Sequence, residues 1–161
     1  MLLWAIILDR PVLFFVIKTL YCRRVILNIM ETYTWYQELL KPEWAPPSWL
    51  FGPVWTVLYI VIAATFFTVF YRAGTGQISY WIALPFALNL IFNLAFTPLQ
   101  FGLQSNLLAA LDIICVLGTM IWAGILIYPL IPWVLYANIP YFLWVSFATV
   151  LQLTITYLNW K

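Results

Sequence analysis

Four long apolar stretches, residues 48–71, 78–100, 107–128 and 133–157, follow one another with only brief polar interruptions. A hydrocarbon core about 30 Å thick needs about 20 apolar residues per helix, so each stretch is long enough to span a membrane. The connections at 72–77, 102–106 and 129–132 leave no room for a soluble domain between them. A fifth apolar run lies at residues 5–28, interrupted by Asp9, Arg10, Lys18, Arg23 and Arg24. A charge at a helix centre costs about 2.5–3.5 kcal/mol on insertion scales, and long basic side chains lower that cost by reaching to the interface. The pattern predicts an all-α integral membrane protein, a single domain over residues 1–161 built as a bundle of five transmembrane helices. Between the first two, Pro42, Pro46 and Pro47 cannot donate backbone hydrogen bonds and move their predecessors out of helical geometry. Residues 41–48 are therefore expected to form an ordered, non-helical Pro/Trp-rich loop in the interface. Trp35, Tyr36, Trp44 and Trp49 surround it, either as an aromatic belt at headgroup level or as a lid over a pocket.

Composition sharpens this picture. The chain is 66% hydrophobic and 7% charged, against about a quarter charged in soluble domains, so a lipid bilayer and not a nucleic acid is its implied surrounding. Asp112 is the only charge between Arg72 and Lys161. Basic residues at Arg23, Arg24, Lys41 and Lys161 against Arg72 and Arg10 place the first loop and the C-terminus on the cytoplasmic side. A bacterial membrane and an organellar one, such as the mitochondrial outer membrane, are equally compatible. A cleaved signal peptide fits poorly, because the basic residues follow the apolar stretch and no small-residue cleavage site appears. Cys22 and Cys115 lack metal or redox spacing, and the chain has no histidine, so neither a metal site nor a His-based triad is expected.

Helix periodicity groups the remaining candidates. Phe51, Trp55 and Tyr59 recur at four-residue intervals; Asn89, Asn93 and Thr97 form a stripe flanked by Phe92 and Phe96; Tyr141, Trp144, Ala148 and Gln152 share one face. If the three faces converge they enclose an aromatic-walled cavity with a few polar groups, the usual construction of a site for flat apolar ligands. The alternative is that the amides bond neighbouring helices, worth about 0.6 kcal/mol per pair. Asp112, six residues into its stretch, is either a helix-start carboxylate favoured by the N-terminal dipole or a ligand or ion contact. Ala83, Ala87, Ala109, Ala110, Gly118 and Gly124 permit close helix approach.

The run WYQELLKPEWAPPSW followed by GPVWTVLY resembles the entry to the second helix of the translocator protein family, also called tryptophan-rich sensory proteins, TspO/MBR proteins or peripheral-type benzodiazepine receptors. The resemblance continues in order through FNLAFTP (92–98), the FG at 101 and 102, Asp112, IPYFLW (139–144) and LNW (158–160), covering Trp35 to Trp160. It implies a receptor or sensor that binds tetrapyrroles such as protoporphyrin IX, with porphyrin as ligand and no cofactor required. Trp55 and Trp144 match residues implicated in porphyrin contact and would be the oxidisable donors in a light-dependent breakdown of the tetrapyrrole. No acid, base or metal site supports conventional catalysis. Ala148 matches a position where a small side chain leaves room for ligand, with Leu151 beside it. Departures are Asn89 for the usual Gln, Phe96 for the common Trp, and Gln152 for the usual Asn, which change reach while keeping polarity or aromaticity. The candidate ligand-binding set is thus Trp44, Trp49, Phe51, Trp55, Tyr59, Asn89, Phe92, Asn93, Asp112, Tyr141, Trp144, Ala148, Leu151 and Gln152.

The C-terminal Leu153, Tyr157 and Lys161 fit a proposed cholesterol pattern that ordinary interfacial helix ends also match. The resemblance adds sterols to the expected ligands and a homodimer through the third predicted span. The rival readings are a passive transporter of such lipophiles and a structural scaffold. Coupled transport is disfavoured by the absence of an internal repeat and the scarcity of ionisable residues.

Overall fold

The computed structural model describes residues 35–160. The expected helix at 5–28, Cys22 and Lys161 lie outside them. Residues 35–38 are helical. From Leu40 onward the chain forms one helical unit, and the described residues contain no strand. Its elements are α1 (Phe51–Gly74), α2 (Tyr80–Thr97), α3 (Asn106–Ile127), the short α4 (Pro132–Ala137) and α5 (Ile139–Leu158). Segments Ser48–Gly74, Tyr80–Gly102, Asn106–Ile127 and Ile139–Leu158 are 4 helices long and apolar enough to cross a membrane.

Local chemistry fixes the ends of these helices. A single 3-10 turn, Ser48–Leu50, leads from Pro47 into α1, and Pro53 falls in its first turn, where a missing N–H costs nothing. α1 stops at Gly74, and Gly76 at φ 73° takes the left-handed conformation that reverses the chain. Ser79 Oγ accepts from Trp81 N–H at 3.4 Å to start α2, and Ser105 Oγ accepts from Leu108 N–H at 3.3 Å to start α3. At the end of α2 the coil widens into a π turn, Pro98–Gly102, closed by the Leu103 N–H on the Pro98 carbonyl at 2.9 Å.

Where the sequence predicts one helix over 133–157, the chain forms two, broken at Asn138. Pro140 has no N–H to offer Tyr136, and its ring would crowd that carbonyl. Pro132 and Pro140 therefore each fall at the start of a helix instead of sitting inside one. Asn138 seals the break by donating Nδ2–H to the Val134 carbonyl at 2.8 Å.

α3 is the central helix, packing on α2 along one side and α5 along another, while α1 closes against α2 and α4. Its inward face carries Ala109, Ala110, Ile113, Val116, Met120, Ala123 and Ile127. The alanines let neighbouring backbones approach, the chief source of helix association where lipid offers no hydrophobic contrast. Leu58, Ile62, Phe66 and Val69 on α1 complete the core, with Phe66 edge-on to Phe86 at 5.0 Å between ring centroids. Ile60, Phe67, Ile91, Leu94 and Ile125 point outward, as expected where the solvent is hydrocarbon.

Candidate functional site

Tyr59, Asn93, Tyr141 and Asn89 meet at the centre of the bundle in one directional relay. Tyr59 Oη donates to Asn93 Oδ1 at 3.0 Å, Asn93 Nδ2 to Tyr141 Oη at 2.9 Å, and Tyr141 Oη to Asn89 Oδ1 at 2.9 Å. Asn89 Nδ2 then donates to the Val116 carbonyl at 2.8 Å and Thr119 Oγ1 at 3.1 Å. The relay thereby joins α1, α2, α5 and α3. Tyr141 is fully buried and Asn89 nearly so. The faces expected to converge do so, and at this level the two asparagines bond neighbouring helices instead of presenting open amides.

Aromatic rings lie against the relay. The Trp55 ring is tilted over Tyr59 at 5.2 Å and edge-on to Tyr141 at 6.3 Å. Phe51 meets Trp144 edge-on at 5.6 Å, Trp144 lies 5.8 Å from Phe147, and Trp44 approaches Phe147 edge-on at 5.8 Å. Alongside this cluster runs a groove of about 680 Å3 whose walls include Pro46, Val54, Leu58, Pro140, Trp144 and Phe147. The Trp144 Nε1–H is buried and has no hydrogen-bond partner among the described residues. An unmatched indole donor beside apolar walls can orient a flat ligand that carries an acceptor.

Residues 40–47 approach the cluster under a clamp from the C-terminus. Asn159 Oδ1 accepts from Leu40 N–H at 3.0 Å while its Nδ2 donates to the Leu40 carbonyl at 2.9 Å. Burial lowers the Lys41 ammonium below its ordinary value.

Other candidates lie apart from the aromatic cluster. Gln152 turns into a second polar knot, donating Nε2–H to Gln100 Oε1 at 3.1 Å, while Gln100 Nε2 donates to Asn106 Oδ1 at 3.1 Å. Thr156 Oγ1 donates to the Asn106 carbonyl at 3.0 Å in the same knot. Asp112 is buried on α3, and its Oδ2 has no partner among the described residues. Trp49 is 71% exposed, Phe92 packs partly buried against the core, Ala148 is half-buried and Leu151 is buried. Leu153 and Tyr157 face outward, Tyr157 at 80% exposure. Cys115 is exposed and outside any disulfide, and the described residues hold no cluster of metal-ligating side chains. Sequence reasoning missed Phe147, Gln100, Asn106 and Asn138. Gln100 and Asn138 carry a signal, since each interrupts an apolar neighbourhood, whereas Asn106 falls in a polar connection.

These features define a multi-spanning helical membrane protein with an aromatic groove at one side and polar knots locking its helices. The TspO/MBR family matches residues 12–158, and the chain belongs to that family. The match begins well before Trp35, where the motif resemblance starts. Among its relatives are the tryptophan-rich protein TspO of Bacillus cereus, 37% identical over 78% of this chain and 81% of the relative, and that of Chlorobaculum tepidum, 35% identical over 78% and 79%. The human translocator protein is 30% identical over 81% of this chain and 76% of its own length.

Proposed function

We propose that the protein is a membrane receptor or sensor for tetrapyrroles of the protoporphyrin IX class, bound at the Trp144 groove. The observation that carries this reading is the unpartnered Trp144 Nε1–H among Phe51, Phe147 and Trp44, beside the apolar groove of about 680 Å3. A porphyrin brings a flat aromatic face for the rings and carboxylate acceptors for the indole donor. Burial of both matches the general design of small-molecule sites. In this reading the loop at 41–48 acts as the lid, the stretch at 5–28 supplies a fifth span, the C-terminus is cytoplasmic, and a homodimer forms through α2. Trp55 and Trp144 are the electron donors to an excited porphyrin. Family membership supports the reading, since relatives are named tryptophan-rich sensory protein and translocator protein.

Titration of detergent-solubilised protein with protoporphyrin IX in the dark, followed by illumination, tests it through tryptophan fluorescence and the porphyrin spectrum. The expected result is saturable quenching that Trp144→Ala weakens without loss of fold, then a light-driven spectral change that Trp55→Phe and Trp144→Phe slow. Quenching that does not saturate, or a folded Trp144→Ala protein of unchanged affinity, refutes the placement.

A further inference from the structure

Three rings lead from the Trp144 groove to the edge of the protein. Trp144 and Phe147 are walls of the groove, with 5.8 Å between their centroids, and Phe147 meets Trp44 edge-on at 5.8 Å. Both separations fall in the contact range of aromatic pairs, about 4.5–7 Å. Trp44 stands in the turn closed by the Ala45 N–H on the Pro42 carbonyl at 3.0 Å, and it is 49% exposed. That turn lies at the end of the bundle where α1 begins and α5 ends, since Leu40 is clamped to Asn159. Trp44 therefore sits at headgroup level, where water reaches it.

The two indoles differ in how well they hold a positive charge. The Trp144 Nε1–H is buried and unpartnered among the described residues. A Trp144 that has lost an electron is a cation in apolar surroundings, which disfavour charge, and no acceptor stands at its nitrogen to take the proton. Half-exposed Trp44 is the opposite case: water solvates the cation and takes the Nε1 proton, because an indole that has lost an electron is strongly acidic at nitrogen. The rings against Trp55 offer no such exit. They belong to Tyr59 and Tyr141, whose hydroxyl protons point to the amide oxygens of Asn93 and Asn89, and an amide oxygen is too weak a base to accept them.

We infer that Trp44 is the terminal electron donor of the photochemistry, an inference that rests on porphyrin binding at the Trp144 groove. The excited porphyrin takes one electron from Trp144, leaving a porphyrin radical anion and a Trp144 radical cation. Trp44 returns one electron to Trp144 through the Phe147 ring, then releases its Nε1 proton to water and becomes a neutral radical. The porphyrin has gained one electron, Trp44 has lost one electron and one proton, and Trp144 is restored. Moving the oxidised site away from the porphyrin slows the return of the electron, so the porphyrin anion survives to react further.

The test illuminates the full chain in detergent, saturated with protoporphyrin IX under argon so that no singlet oxygen forms. The radical trap 2-methyl-2-nitrosopropane is present, and its adducts are mapped by mass spectrometry. Adducts on Trp44 are expected to exceed those on Trp144 about tenfold, which corresponds to about 1.4 kcal/mol in favour of the exposed site. Compared at equal porphyrin occupancy, Trp144→Phe and Phe147→Leu should each remove most of the Trp44 adduct, because one takes away the first donor and the other the bridging ring. Trp44→Phe should move the adducts to Trp144 and shorten the lifetime of the porphyrin anion in transient absorption. A Trp44 adduct that persists undiminished in Trp144→Phe, or adducts in the unaltered protein confined to Trp144 or Trp55, overturns the relay and leaves the binding reading standing. Absence of saturable porphyrin binding in the dark overturns that reading and the relay with it.

Discussion

Removing one oxygen atom, in Tyr141→Phe, tests whether the relay holds the bundle together. The Tyr141 hydroxyl accepts from Asn93 Nδ2 and donates to Asn89 Oδ1, both at 2.9 Å, and among the described residues neither of these two amide atoms has another partner. The phenylalanine ring keeps the shape, so the change strands one donor and one acceptor in a fully buried place. Unsatisfied buried groups in soluble proteins cost about 1–3 kcal/mol each, which sums to about 2–6 kcal/mol. In bilayers the unfolded reference also finds partners, and interhelical bonds average about 0.6 kcal/mol with a maximum near 1.7. The bilayer scale is the appropriate one, so two bonds give about 1–3 kcal/mol. Tyr59→Phe is the internal control: it removes one bond, to Asn93 Oδ1, and Tyr59 is 41% exposed. Its cost should therefore be no more than about half that of Tyr141→Phe, near 0.6 kcal/mol. Reversible unfolding in bicelles, followed by steric trapping or tryptophan fluorescence, measures both. Equal costs for the two substitutions, or a Tyr141→Phe protein as stable as the parent, would refute the relay as a structural tie.

Other expectations follow from single contacts. Asn159→Ala removes both bonds to Leu40 and should speed limited proteolysis within residues 40–47 while leaving the melting temperature of the helices nearly unchanged. Gln152→Leu deprives Gln100 Oε1 of its donor in the second knot and should destabilise by about 1 kcal/mol in the same unfolding assay; with Gln100→Leu added, the loss should grow, because Asn106 Oδ1 then loses its donor as well. Ala148→Leu should reduce porphyrin capacity in the quenching titration, and undiminished binding would show that its face lies away from the ligand. Burial holds Lys41 below its ordinary 10.5, so the unfolded chain binds more protons in the alkaline window beneath that value. Stability should rise slightly with pH there, and Lys41→Gln should flatten the slope.

Four of the five expected spans were readable because hydropathy over about 20 residues is a sum, insensitive to which residue bonds which. The three inward faces were readable too: Tyr59, Asn93 and Tyr141 sit where helical periodicity puts them, and they do meet. Their use was not readable. Periodicity says that Asn89 faces inward but not that Tyr141, 52 residues later, will satisfy it. The break at Asn138 stayed hidden because Pro140 and Pro132 lie in stretches as apolar as their neighbours, and a proline reads equally as a kink or as a helix start. Gln152 followed its periodic face in the sequence, yet the π turn at Pro98–Gly102 brings Gln100 within bonding reach and draws it into a separate knot.

That division of labour explains how so apolar a chain can hold both a rigid frame and a receptive surface. In hydrocarbon, every polar group must be matched, so amides paired across helices lock relative positions, and Asn89, Asn93, Gln100 and Gln152 are all spent this way. Groups left unmatched within such a frame stand out against it. Among the described residues the buried unpartnered side-chain atoms are Trp144 Nε1, Asn138 Oδ1 and Asp112 Oδ2. The first is a donor on a residue that lines the aromatic groove. Separating the matched groups from the unmatched one makes the argument testable as a whole. Replacing Trp144 with Phe should weaken porphyrin binding and leave the unfolding free energy nearly unchanged, and Gln152→Leu should do the reverse. A variant that impaired both equally would mean that the frame, not the unmatched groups, governs binding.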